Sequence, residues 1–116
     1  MRPSHPLTSK YPKNFFSVKL RVYALLNGKQ PHFRICTFSP ETDKYVSGGL
    51  RAGHGWEPWI SKVLGKMLAT YGSDAVLLDV GANIGAHALY AAKLGYRVAG
   101  VEPQNINLAR VRKNYI

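Results

Sequence analysis

Asp79, Gly81, Asn83 and Gly85 alternate along one short stretch, with Ala82 among them, and a second acid, Glu102, closes the next apolar run. Such residues bind by backbone as much as by side chain. Gly81 lets the chain leave a strand sharply and puts no side chain between backbone and ligand. Gly85 permits the following helix to lie close to the sheet. Unpaired N–H groups of that helix's first turn face the crevice at the carboxyl ends of the strands. Glu102, at the end of the neighbouring strand, can accept two hydrogen bonds from the vicinal hydroxyls of a ribose.

These residues need elements to hold them. The apolar run Val76-Leu77-Leu78 leading into Asp79 predicts a buried parallel strand. Ile84, Ala88, Ala91 and Ala92 share one helical face, with no breaker before Gly95. Tyr96-Arg97-Val98-Ala99-Gly100-Val101 predicts the second strand. Strand, glycine turn, helix, strand and acid make the opening βαβ unit of a nucleotide-binding α/β sheet.

The order of residues in the turn discriminates between nucleotides. A dinucleotide fingerprint is G-x-G-x-x-G, with a pyrophosphate on the helix N-terminus. In this chain an acid opens the turn, and an anion is unwelcome beside it. A carboxylate at that place suits a ligand with an amino group and no phosphate. S-adenosylmethionine has those features: an adenosine for the crevice, ribose hydroxyls for Glu102, and a methionine ammonium for the Asp79 turn.

Asp79-Val80-Gly81-Ala82-Asn83-Ile84-Gly85 resembles motif I of class I S-adenosylmethionine-dependent methyltransferases. Glu102-Pro103, followed by Asn107, Val111 and Asn114, is similar to the corresponding run of the FkbM family within that class, which usually has Leu where Val111 stands. The resemblance covers about residues 75–116. It implies a Rossmann-like methyltransferase sheet, incomplete in this chain and preceded by a β-hairpin and a helix. It also implies S-adenosylmethionine bound by Asp79, Gly81, Ala82, Asn83, Gly85 and Glu102, and O-methylation of a hydroxyl on a small-molecule or glycan acceptor. A sheet of that class needs about seven strands and roughly 200 residues. The 116 residues are accordingly read as an N-terminal fragment, too short to be active alone and without an assignable catalytic residue. Two alternatives stay open: a non-catalytic fragment that binds at most a nucleotide or nucleic acid, and part of an RNA methyltransferase.

Composition bounds these readings. With 46% apolar residues the chain is globular rather than disordered. Its formal charge of +10 comes from 16 Lys and Arg against 6 Asp and Glu. Arg2, Lys10, Lys13, Lys19, Arg21, Lys29 and Arg34 all precede the first acid, Glu41. A basic arm suits RNA or an acidic membrane surface. Runs of basic residues and RNA-binding signatures are both absent, so nucleic acid is not the favoured partner. Cys36 is the only cysteine, which excludes an intrachain disulfide and a cysteine metal cluster. No apolar stretch has the length of a membrane span, and Met-Arg-Pro-Ser-His-Pro is not followed by a signal-peptide core. Cytoplasm is the default expectation.

In chain order, residues 1–14 form a proline-bearing, basic lead-in. Residues 15–74 hold a hairpin, a glycine-rich loop and a helix, and residues 75–116 the truncated cofactor-binding part. Val18, Leu20, Val22, Ala24 and Leu26 alternate as a half-buried strand, Asn27-Gly28 signals a turn, and His32 to Phe38 returns. Ser39 to Asp43 is a turn cluster, and Tyr45 to Gly55 a long glycine-rich connection. Pro58 suits a first helical turn, beyond which Ile60, Val63, Leu64, Met67, Leu68 and Tyr71 recur at helical spacing up to Gly72. Leu108, Val111 and Tyr115 lie on one face of a last helix.

Other candidates have two readings each. Glu57 either complements the helix dipole or reaches the methionine end of the cofactor. His54 is an exposed loop residue or a general base. His87 packs or lies on the surface, with cofactor contact the minor reading. Trp56 and Trp59 are core aromatics or walls for the adenine.

Overall fold

The computed structural model describes residues 15–18, 33–53 and 55–113. The lead-in 1–14, residues 19–32 of the expected hairpin, His54 and residues 114–116 lie outside the described residues. The elements in order are β1 (Phe15–Val18), α1 (Val46–Arg51), α2 (Pro58–Tyr71), β2 (Val76–Val80), α3 (Ala86–Lys93), β3 (Arg97–Val101) and α4 (Asn105–Lys113). The protein is a small mixed α/β fold.

The expected βαβ unit is present. β2 and β3 pair in parallel, from Val76 opposite Arg97 to Val80 opposite Val101. Parallel neighbours need a crossover, and α3 supplies it. Gly95, at φ 97°, follows the end of α3, and the Tyr96 N–H returns to the Ala91 carbonyl at 3.2 Å. β1 lies antiparallel on the other side of β3, so the sheet order is β1-β3-β2.

One face of the sheet carries the core. Leu77 and Val98 sit side by side in register, and Val98 packs with Ala88, Ala91 and Ala92 of α3, Leu108 and Val111 of α4, and Leu68 of α2. Three alanines on α3 bring that helix close to the strands. The other face is uncovered among the described residues: Val76, Leu78 and Val80 are exposed. The expectation of a strand buried on both sides is therefore corrected to burial on one. A second cluster, Phe38, Val46 and Ile84, is flanked by Ile35, Leu50 and Trp56. Ile84, expected on the helix, lies before its start and is fully buried in this second cluster.

The N-terminal half departs most from expectation. β1 ends at Val18, the residue where the alternating strand was expected to begin. The returning strand does not form, since residues 33–38 have no strand pairing. Burial of Ile35 and Phe38 in the second cluster, the Phe38 N–H donating to Ser47 Oγ at 3.0 Å, and the Arg110 guanidinium 4.5 Å over the Phe38 ring hold this segment instead. Val63, Met67 and Tyr71 of α2 are exposed, as is Trp59, because the helix meets α3 along the narrow line of Leu64 and Leu68.

The glycine-rich connection contains α1, despite Gly48 and Gly49 within it. Its start is fixed by Asp43, which accepts the N–H groups of Val46 (3.1 Å) and Ser47 (2.8 Å) and the Ser47 hydroxyl (2.7 Å). Those bonds offset the low helix propensity of glycine. Burial pushes the Asp43 carboxyl up, but the Ser47 and Val46 bonds outweigh it and hold the group below the usual carboxylate range. A depressed folded value means the contribution is present above the unfolded value of about 3.9 and lost as pH falls through the folded one. Replacing Asp43 by Ala is expected to cost about 1–2 kcal/mol in urea unfolding near neutral pH and less in strong acid, where the charge is lost.

Candidate functional site

The turn after β2 is fastened to β3 before it reaches the helix. The N–H groups of Gly81 and Ala82 both donate to the Val101 carbonyl, at 2.9 and 3.1 Å. Gly81 then takes φ 78°, in the left-handed region where glycine has no steric penalty, and a Cβ there would meet nothing within 4 Å. Asn83 also has positive φ, 55°, and its Oδ1 accepts the Ile84 N–H at 2.7 Å. An Asn that bonds its neighbouring backbone tolerates this conformation best. Gly85, at φ 89°, precedes α3, and a Cβ on it would lie 3.3 Å from a Val111 methyl. Its close approach is thus to α4 rather than to the sheet.

Glu102 is the hub behind the turn. Its Oε2 accepts the Asn83 N–H at 2.7 Å, and its Oε1 accepts the Gln104 N–H at 2.9 Å and more weakly Asn107 Nδ2 at 3.4 Å. At 4% exposure it faces the backbone, and its oxygens already carry donors. These bonds hold the turn's shape and leave part of the carboxylate's acceptor capacity unfilled.

Asp79 lies opposite Gly100, on the sheet face that the helices cover. Its Oδ2 is buried without a hydrogen-bond donor. Burial pushes its carboxyl up; the His87 charge and the Ala88 N–H pull against that, and the nearby Glu102 adds to the rise. His87 stands in the first turn of α3 and reaches across to Glu57, the residue before α2, with Nε2 3.2 Å from Glu57 Oε2. A carboxylate only accepts, so Nε2 carries the proton in this bond when Glu57 is ionised. Nδ1 lies 3.5 Å from Ser61 Oγ. Glu57 is itself left-handed, at φ 45° and ψ 62°, an uncommon conformation for a non-glycine residue and one found often at functional sites.

These groups surround a cleft of about 330 Å³. It is lined by the turn residues Asp79 to Ile84, by the Glu57–His87 pair, and by Val46, Trp56 and Ile60, which supply apolar surface. Of the residues expected at the site, Asp79, Gly81, Ala82 and Asn83 line the cleft, whereas Gly85 and Glu102 support it from behind. Trp56 is at the cleft and Trp59 points away, 67% exposed. What sequence reasoning missed is the junction of Glu57 with His87. The available signal was the place of each at a helix N-terminus, and it becomes a pair only once α2 packs on α3.

No group of three or more His, Cys, Asp or Glu able to hold a metal ion occurs among the described residues. Nor is any described helix long and apolar enough to cross a membrane. Comparison with known proteins finds no matching family model, no significantly similar curated protein and no significantly similar solved structure.

Proposed function

We propose that the cleft binds S-adenosylmethionine and that the chain carries the cofactor-binding part of an FkbM-type methyltransferase with a Rossmann-like sheet, directed at a hydroxyl acceptor on a small molecule or glycan. The observation that carries this reading is the turn from Asp79 to Asn83, which borders a cleft with an open approach at Gly81 and two acids, Asp79 and Glu57, in its lining. A pyrophosphate has no complement there. An amino group does, and the buried Asp79 oxygen without a donor is the sharpest sign of a missing partner.

The residues present fit the cofactor at the turn, where the backbone is open at Gly81 and the buried Asp79 oxygen can take a donor. Asp79, Gly81, Ala82 and Asn83 would hold it, while Glu102 and Gly85 keep the turn in shape. Bound in this way, S-adenosylmethionine supplies an electrophilic methyl group on a sulfonium. The protein's share is to orient that ligand, to bring apolar surface from Trp56 and Ile60 beside it, and to keep water from the reacting side.

Calorimetric titration of S-adenosylmethionine into the chain, with NAD as the comparison ligand, tests the reading. Saturable binding of the first and none of the second is the expected result. Equal binding of both, or binding of NAD alone, overturns it.

A further inference from the structure

Away from the cleft, α2 presents an apolar surface that is uncovered among the described residues. Trp59, Val63, Met67 and Tyr71 recur every fourth residue, a spacing that keeps them in one slowly turning row along the helix. Their exposures run from 49% for Val63 to 75% for Tyr71, and none of the four lines the cleft. The row extends about 18 Å from Trp59 to Tyr71 at the rise of an α-helix. Lys62 and Lys66, both exposed, follow one flank of it, each just before Val63 or Met67. No acid occurs within α2. Those nearest in sequence, Glu57 and Asp74, lie beyond its two ends, and Glu57 is engaged by His87.

This pattern of charge and shape selects an occupant. A nucleic-acid phosphate backbone meets the lysines but leaves four apolar side chains in water. A second copy buries those side chains, yet it brings the same lysines and its own net charge of +10 against the first. An anionic bilayer surface complements both features, taking the lysines at its head groups and the apolar row at the boundary with the acyl chains. Trp59 and Tyr71, at the two ends of the row, each have the apolar body and polar tip that suit this boundary. We propose that α2 docks the chain on an anionic lipid surface, with Trp59, Val63, Met67 and Tyr71 inserted and Lys62 and Lys66 at the head groups. Such docking is peripheral, along the surface rather than through it. It is independent of the cofactor reading, since the row and the cleft share no residue.

Co-sedimentation of the full chain with vesicles tests the proposal, using phosphatidylcholine alone and phosphatidylcholine with phosphatidylserine at about three to one. The chain is expected to bind the mixed vesicles at least about tenfold more strongly than the neutral ones, with the difference lost in high salt. Trp59→Ser with Met67→Ser, and separately Lys62→Gln with Lys66→Gln, are each expected to weaken that binding by about tenfold or more. Lys44→Gln with Lys113→Gln removes the same charge from exposed positions outside α2 and is expected to weaken it by less than about threefold. Equal binding of the two vesicle types, or binding of neither, overturns the proposal. Undiminished binding by the Trp59 and Met67 variant overturns insertion of the row, and equal losses from the two lysine pairs assign the attraction to net charge alone. Sedimentation velocity without lipid and retention of a single-stranded RNA complete the test. A dimer or an RNA complex that the Trp59 and Met67 changes dissolve gives this face to another partner and overturns the lipid reading. Circular dichroism checks the fold of each variant, and if the Trp59 and Met67 variant fails to fold the two lysine pairs decide.

Discussion

Replacing Glu102 by Ala is expected to lower stability by about 3–4 kcal/mol and to abolish binding of S-adenosylmethionine. The carboxylate accepts two backbone N–H groups at 2.7 and 2.9 Å, and bonds to an ionised acceptor contribute about 1.5–3 kcal/mol each. The third contact, at 3.4 Å, adds little. A partial offset comes from Asp79, whose carboxyl Glu102 pushes up; without that neighbour Asp79 ionises more readily. The loss is nonetheless large against the roughly 5–15 kcal/mol that holds a small domain together. Binding fails with it, because the Asn83 N–H that Glu102 anchors belongs to the wall of the cleft. Urea unfolding followed by circular dichroism measures the first effect and calorimetry the second. A loss below about 1 kcal/mol would show that the turn keeps its shape without the acid.

Gly85→Ala is expected to cost about 2–3 kcal/mol, while Gly81→Ala costs only about 1–2 kcal/mol and acts on the ligand instead. Both glycines have positive φ, so both substitutions meet the same backbone penalty of about 1–2 kcal/mol. The difference is what the new methyl touches: a Val111 methyl at 3.3 Å for Gly85, and nothing within 4 Å for Gly81. Gly85 therefore governs how closely α4 packs, and Gly81 leaves the backbone open where the proposed ligand would approach it. Urea midpoints and cofactor affinities measured on both variants should rank them in opposite order. Val111→Ala combined with Gly85→Ala should cost less than the two single changes added together, because the collision is removed. Strict additivity would sink the assignment of Gly85 to that contact.

The half of the chain from Asp74 onward was legible because each local signal agreed with its neighbour. An apolar run, a glycine turn, small residues at helical spacing and a second apolar run leave few arrangements open, and Val76–Val80, Ala86–Lys93 and Arg97–Val101 follow from them. The residues of the turn were legible for the same reason, with their division into cleft-lining and supporting groups hidden. Glu102 illustrates why: its spacing says that it ends beside the turn, but which donor it meets depends on the depth of burial. In the N-terminal half packing overrides period. Alternation in His32–Phe38 is shared by a strand and by an extended segment pinned by side chains, and Phe38 is held by Ser47 and Arg110. Asp43, an acid three residues before Val46, is a helix-start signal for α1, while Gly48 and Gly49 have low helix propensity.

The uncovered face of β2 has a consequence for how the chain behaves as a colloid. Among the described residues β2 is the outer strand in the order β1-β3-β2, and Val76, Leu78 and Val80 are 54%, 61% and 75% exposed. Its one charged side chain, Asp79, is turned to the helices and does not guard the open side. A short, apolar edge without lysine or proline is a template on which further strands nucleate. The positive net charge keeps copies apart at low ionic strength; salt screens that repulsion and leaves the edge to act. Concentrating the chain in high salt therefore favours strand-to-strand growth, and the segment Val76–Val80 is where a solubilising lysine would do the most.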